Sequence, residues 1–107
     1  MIDEALKNSC NLVNFIDYQN SAIVSKTIIQ NSSGTITLFA FDKGQSLSEH
    51  TAPFDAFVMV LDGNFTITIG GHEHTVAAGE AVIMPANVPH AVVAIEKAKM
   101  LLVMIKG

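Results

Sequence analysis

Arginine is absent from this 107-residue chain, and its six basic residues are all lysines. Paired hydrogen bonds to phosphate or carboxylate usually recruit the planar guanidinium, so its absence disfavours nucleotide-sugar and phosphorylated substrates. A net charge of −4 removes the basic footprint that nucleic acid requires. Cysteine is nearly absent too: Cys10 stands alone, which excludes an internal disulfide, and it reads as a small buried hydrophobe rather than a nucleophile. Long apolar runs are missing, since the longest, residues 100–105, falls far short of a membrane span and reads as a buried strand. The first residues, Met1-Ile2-Asp3-Glu4, lack the basic start and apolar run of a signal peptide, so a cytoplasmic protein with no membrane partner is expected. No glycine-rich phosphate loop, nucleophile elbow or cysteine–histidine dyad is present.

What the chain has is apolar surface. Half of its residues are hydrophobic and only 15% are charged, more than one small core needs, so part of the surplus is expected in a homodimer interface.

From Ala22 onward the pattern has period two, clearest at residues 35–41 and 64–69, where threonines and apolar side chains are expected on opposite faces. Further strands are expected at residues 23–29, 45–50, 56–61, 73–76, 81–84, 90–95 and 99–106. Asp62-Gly63 and Gly70-Gly71 fit tight primed hairpin turns, whose central residues need positive φ. Residues 1–21 are the least regular: Asp3 can cap a short helical turn, and Leu12, Val13, Phe15 and Ile16 suggest a strand or docking arm. The expected organisation is an N-terminal arm, residues 1–21, packed on one barrel domain, residues 22–107. So many short strands in one domain predict an all-β jelly-roll barrel of two packed antiparallel sheets.

Two glycine-started segments carry the chemistry. Gly44, His50 and Gly63 fall in the register of the first conserved motif of the cupin family, and Gly79, Pro85 and His90 in that of the second. The chain thus resembles a small single-domain cupin over residues 44–94. The family's remaining ligand positions are occupied by Ala52 in place of histidine, Ala56 in place of glutamate and Ala94 in place of asparagine, while Asn87 replaces an inner glycine. Strand parity then predicts a pocket lined by His50, Ala52, Ala56, Val58, Val60, His90, Val92 and Ala94, with Phe54 at its entrance. Asp55 and Glu49 should face outward unless a bulge near Pro53 turns Asp55 in. His72 and His74 share a face beside a turn that, by the resemblance, lies away from the pocket mouth.

The leading functional expectation is a barrel that binds a small, largely apolar organic molecule without a tightly held metal. The alternative implied by the resemblance is a metal-dependent oxygenase, decarboxylase or isomerase, with iron, manganese, nickel or zinc on His50, His90 and either water or Asp55. Metal-free acid–base catalysis like that of sugar epimerases has the missing arginines against it. A regulatory module acting through a dimer would need a separate output partner.

Overall fold

The computed structural model describes all 107 residues and arranges nine strands in two antiparallel sheets. Sheet A runs β1 (Ile23–Asn31), β2 (Gly34–Phe41), β9 (Ala98–Ile105), β4 (Asp55–Asp62) and β7 (Ala81–Met84). Sheet B runs β3 (Ser46–His50), β8 (His90–Ala94), β5 (Asn64–Ile69) and β6 (His72–Ala77). This is the jelly roll that the strand spacing predicts.

The core lies between the inner faces. Phe41, Val58, Val60, Phe65 and Ile67 are fully enclosed there, and the rings of Phe41 and Phe65 meet edge-on at 5.0 Å. Each such apolar side chain contributes about 1.5–3 kcal/mol by leaving water. β5 follows simple alternation, with Phe65, Ile67 and Ile69 inward and Thr66 and Thr68 on the opposite face.

β2 departs from that rule. Its inward residues are Thr37, Phe39 and Phe41, while Ile36, Leu38 and Ala40 face the outside of sheet A. Leu38 and Ala40 are nonetheless fully buried, because Leu6, Leu12, Phe15, Ile16 and Tyr18 of the N-terminal segment cover them. Leu6 and Leu12 lie in two short helical turns, Glu4–Lys7 capped by Asp3 and Leu12–Asn14, and Phe15, Ile16 and Tyr18 follow in irregular chain rather than in a strand. Cys10, expected to be buried, is exposed beside them.

Polar contacts fix this arm. The Tyr18 hydroxyl donates to the Asp62 carboxylate at 2.6 Å, and the buried Lys99 ammonium donates to the Val13 carbonyl while lying 4.8 Å from the Tyr18 ring centre. Burial, and then the Asp62 carboxylate, push the Tyr18 phenol well above its ordinary range. A raised folded-state value favours the native form at and below ordinary tyrosine pKa, about 10, and that contribution disappears as pH climbs through the folded value. Tyr18 is the chain's one tyrosine and tryptophan is absent, so phenolate absorbance at alkaline pH reports this contact alone. The expected result is no ionisation near pH 10 in the folded protein, and an earlier onset in Asp62→Asn; a titration near the ordinary value in both would contradict the contact.

The two glycine-containing turns differ in kind. Gly70 and Gly71 both have positive φ, 56° and 82°, and close the β5–β6 hairpin as a primed turn. Asp62-Gly63 is not such a turn: only Gly63 has positive φ, and β4 and β5 belong to different sheets. The dipeptide is a corner between sheets. A Cβ on Gly63 would lie 2.2 Å from the Lys97 carbonyl oxygen, so the corner excludes side chains.

Candidate functional site

Strand pairing builds the site as two facing rows. On sheet B, His50 pairs with His90, and His90 pairs with Ile69. On sheet A, Ala56 pairs with Met84 on one side and Met104 on the other. Inner faces of packed sheets stand about 10 Å apart, so the histidine row looks across at the methionine row. Between them lies a cavity of about 60 Å³ lined by Leu47, His50, Ala52, Ala56, Met84, His90, Val92, Met100, Leu102 and Met104.

A bulge sets His50 in place. Leu47 pairs with Val92 and His50 with His90, so two strand residues, Ser48 and Glu49, oppose one on β8. The extra residue brings both Leu47 and His50 to the inner face despite their opposite parity. His50 remains solvent-exposed at the rim, whereas His90 is only 6% exposed. The loop before β8 turns at Asn87, whose φ of 64° supplies the left-handed conformation of the glycine it replaces.

The two imidazoles are held through their outer nitrogens. His50 Nδ1 lies 2.7 Å from the Ser48 carbonyl and His90 Nδ1 lies 3.1 Å from the Val88 carbonyl. A carbonyl oxygen only accepts, so each Nδ1 carries hydrogen and donates. Each neutral ring then presents a lone pair at Nε2, and these two nitrogens face each other at 3.2 Å. Two lone pairs at that separation repel. The contact is satisfied by a shared proton, by a hydrogen-bond donor from a ligand, or by a cation.

The other expected pocket residues are placed as follows. Ala52, Ala56 and Val92 line the cavity. Val58, Val60 and Ala94 sit in the sealed core and do not line it. Phe54 is half-buried in the loop between β3 and β4, its ring 5.6 Å from the Lys106 ammonium, and it also lies outside the lining. Asp55 does not turn inward. It pairs with Ile105, faces away from Ala56, and accepts the Ala86 amide at 2.9 Å. The bulge that would have rotated it lies on β3 instead.

His72 and His74 need a second correction. Their partners Ile69 and Ile67 place them on the inner-facing side of sheet B, and the Gly70 amide donates to the Pro89 carbonyl, so their turn stands at the same end as His90. Both are exposed, and no third histidine, cysteine, aspartate or glutamate gathers with them or with His50 and His90. Leu47, Met84, Met100, Leu102 and Met104 are lining residues that the motif spacing does not reveal. The shared parity of residues 100, 102 and 104 on one apolar strand was the available signal.

The donor set decides which ions fit. With metal–nitrogen bonds of about 2.1 Å, nitrogens 3.2 Å apart subtend about 100°, a reasonable angle at a metal. Tight iron, manganese, nickel or zinc sites require three or four such donors, usually including a carboxylate for the redox metals. Two imidazoles without a carboxylate do not fit that requirement.

Comparison with known proteins agrees with the fold. The cupin domain model matches residues 37–106, and the chain belongs to the cupin family. It is similar to a conserved protein of unknown function from Streptococcus pyogenes, 37% identical over 99% of this chain and 91% of that one, with a TM-score of 0.91. A cupin 2 conserved barrel domain protein from Leptotrichia buccalis is 41% identical over 91% of this chain, with a TM-score of 0.86, and the match spans 47% of that longer chain. A cupin superfamily protein from Desulfitobacterium hafniense shares the fold with a TM-score of 0.90 at 24% identity, over 94% of this chain and 93% of that one. No curated protein matches. No helix is long and apolar enough to cross a membrane.

Proposed function

We propose that the barrel binds a small, largely apolar organic molecule whose polar end is a hydrogen-bond donor, a hydroxyl or a protonated amine. The observation that carries this reading is the pair of converging Nε2 lone pairs above an apolar cavity. A carboxylate or carbonyl brings only further lone pairs to that point, whereas a donor satisfies one or both nitrogens. The volume sets the size: about 60 Å³ holds roughly four waters at 10–15 Å³ each, so only a few heavy atoms enter and the rest of a longer ligand extends past His50.

Amide and methyl NMR spectra recorded with short-chain alcohols, amines and carboxylates test this. Alcohols and amines are expected to shift Leu47, Ala52, Met84 and Met104, and His50→Ala should weaken that response at least severalfold. Equal shifts from carboxylates, or none at those residues, would sink the reading.

We also propose that the chain works as a homodimer through the outer face of sheet A. An apolar row that the N-terminal arm leaves largely exposed supports this.

A further inference from the structure

The two histidines restrict the ligand's polar end more tightly than to a hydrogen-bond donor of any kind. Each Nδ1 donates to a main-chain carbonyl, Ser48 for His50 and Val88 for His90, and a neutral imidazole carries one hydrogen. Neither ring is able to present an N–H at Nε2 without giving up that bond, so both inner nitrogens act as acceptors. No neighbour relieves them: apart from the two imidazoles, the cavity wall consists of leucine, alanine, valine and methionine. A ligand head at this point therefore has to supply two hydrogens to two acceptors 3.2 Å apart. An acceptor left unsatisfied in such a place weakens binding.

Donor counts separate the ligand classes. A hydroxyl has one hydrogen, and giving it to one Nε2 leaves the other facing the hydroxyl oxygen's own lone pairs. A primary ammonium has three. Placed about 2.9 Å from both nitrogens, it views them at an angle of about 67°, so two N–H bonds reach them with about 20° of bend each, close to the straightness hydrogen bonds prefer. The third is left for water, which His50 meets at the exposed rim. That access also lowers the cost of bringing a charge to an apolar wall, because the head keeps part of its hydration. The surroundings do not repel a cation: net charge is −4, and the Lys106 ammonium lies by the Phe54 ring, outside the lining. Resting on the proposed binding of an organic molecule and narrowing it, we infer that the ligand class is the short-chain primary amine, held as its ammonium by Nε2 of both His50 and His90. A cavity of about 60 Å³ admits a tail of about three or four carbons among Leu47, Met84 and Met104.

The test titrates the full-length chain with propylamine, propan-1-ol and propyltrimethylammonium at about pH 8, where free alkylamines are protonated, and follows NMR shifts. The amine and the alcohol match in size and differ in donors, whereas the trimethylated cation keeps the charge and loses every N–H. Propylamine is expected to bind at least about tenfold more tightly than either, the scale of one hydrogen bond to a charged group. In His50→Leu, which has similar bulk but no lone pair, one acceptor remains and the amine's advantage over the alcohol should shrink at least about threefold. Because a ratio is read, a general loosening of β3 does not imitate the effect. Propan-1-ol binding as tightly as propylamine, the trimethylated cation matching it, or an advantage unchanged in His50→Leu would each overturn the amine assignment and leave an organic ligand in the cavity. Absence of shifts at Leu47, Ala52, Met84 and Met104 with all three compounds would remove both.

Discussion

The Ala52→His/Ala56→Glu variant is expected to bind nickel(II) or zinc(II) at least a hundredfold more tightly than the parent. Both alanines line the cavity that His50 and His90 share, so the new side chains add two donors to the two already present. Gaining ligands in the inner shell should exceed the roughly 10–100-fold that outer-shell partners supply. The cost falls on the metal-free form. Position 56 is 5% exposed, and an unpaired carboxylate buried there destabilises the fold by about 3–5 kcal/mol. The signature is therefore double: a lower unfolding temperature without metal, and its recovery with metal, by mass action on the folded state. Calorimetric titration and thermal unfolding measure both. A variant that is destabilised but gains no metal affinity would show that positions 52 and 56 do not converge on the histidines.

Replacing Phe57 by aspartate is expected to dissociate the proposed dimer, raising its dissociation constant at least thirtyfold. The register explains why this one residue matters. Ile29 pairs with Ile36, Ile36 with Val103, Val103 with Phe57, and Phe57 with Ile83, so one uninterrupted apolar row crosses all five strands of sheet A. With Ile2 and Ile105 beside it, the exposed part of that strip is on the order of 500 Å², the scale at which patches on single chains mark contact sites. A standard interface takes about 800 Å² from each partner, so this strip supplies the apolar centre and leaves a polar rim to complete it. A row perpendicular to the strands is also able to meet itself across a two-fold axis. Phe57 is 40% exposed in the single chain, so the substitution strikes the contact more than the core. A burial-centre aromatic contributes about 2–4 kcal/mol, which sets the thirtyfold floor. Sedimentation equilibrium decides it: a parent that is already monomeric at micromolar concentration, or a variant that stays dimeric, would rule this surface out.

Much of the architecture could be read from period and punctuation. Eight or nine strands and the glycine hairpin at Gly70-Gly71 follow from alternation and turn chemistry, and the choice of His50 and His90 as candidate residues follows from the resemblance to the cupin motifs. The failures share one cause, which is that pairing partners are not written in local sequence. Asp62-Gly63 resembles a hairpin turn, but which sheet receives the next strand depends on distant pairings. Thr37 points inward because the arm takes the opposite face of β2, a contact between segments far apart in the chain. The bulge at Ser48 and Glu49 leaves no composition mark, though it fixes where His50 points. Met84 and Met104 reach the cavity because β4 lies between β7 and β9, a strand order that local sequence does not encode. Ordinary core methionines look the same in sequence.

The wall carrying His50 is lightly anchored. β3 is an edge strand held by β8 alone, its ladder is interrupted by the bulge, and four of its five residues are exposed. Sheet A by contrast is enclosed on both sides over much of its width. Small excursions of β3 therefore cost far less than global unfolding. His90 is enclosed between β3 and β5 whereas His50 sits on this edge, so the His50 side of the cavity wall is the part of the barrel tied down by the fewest pairings.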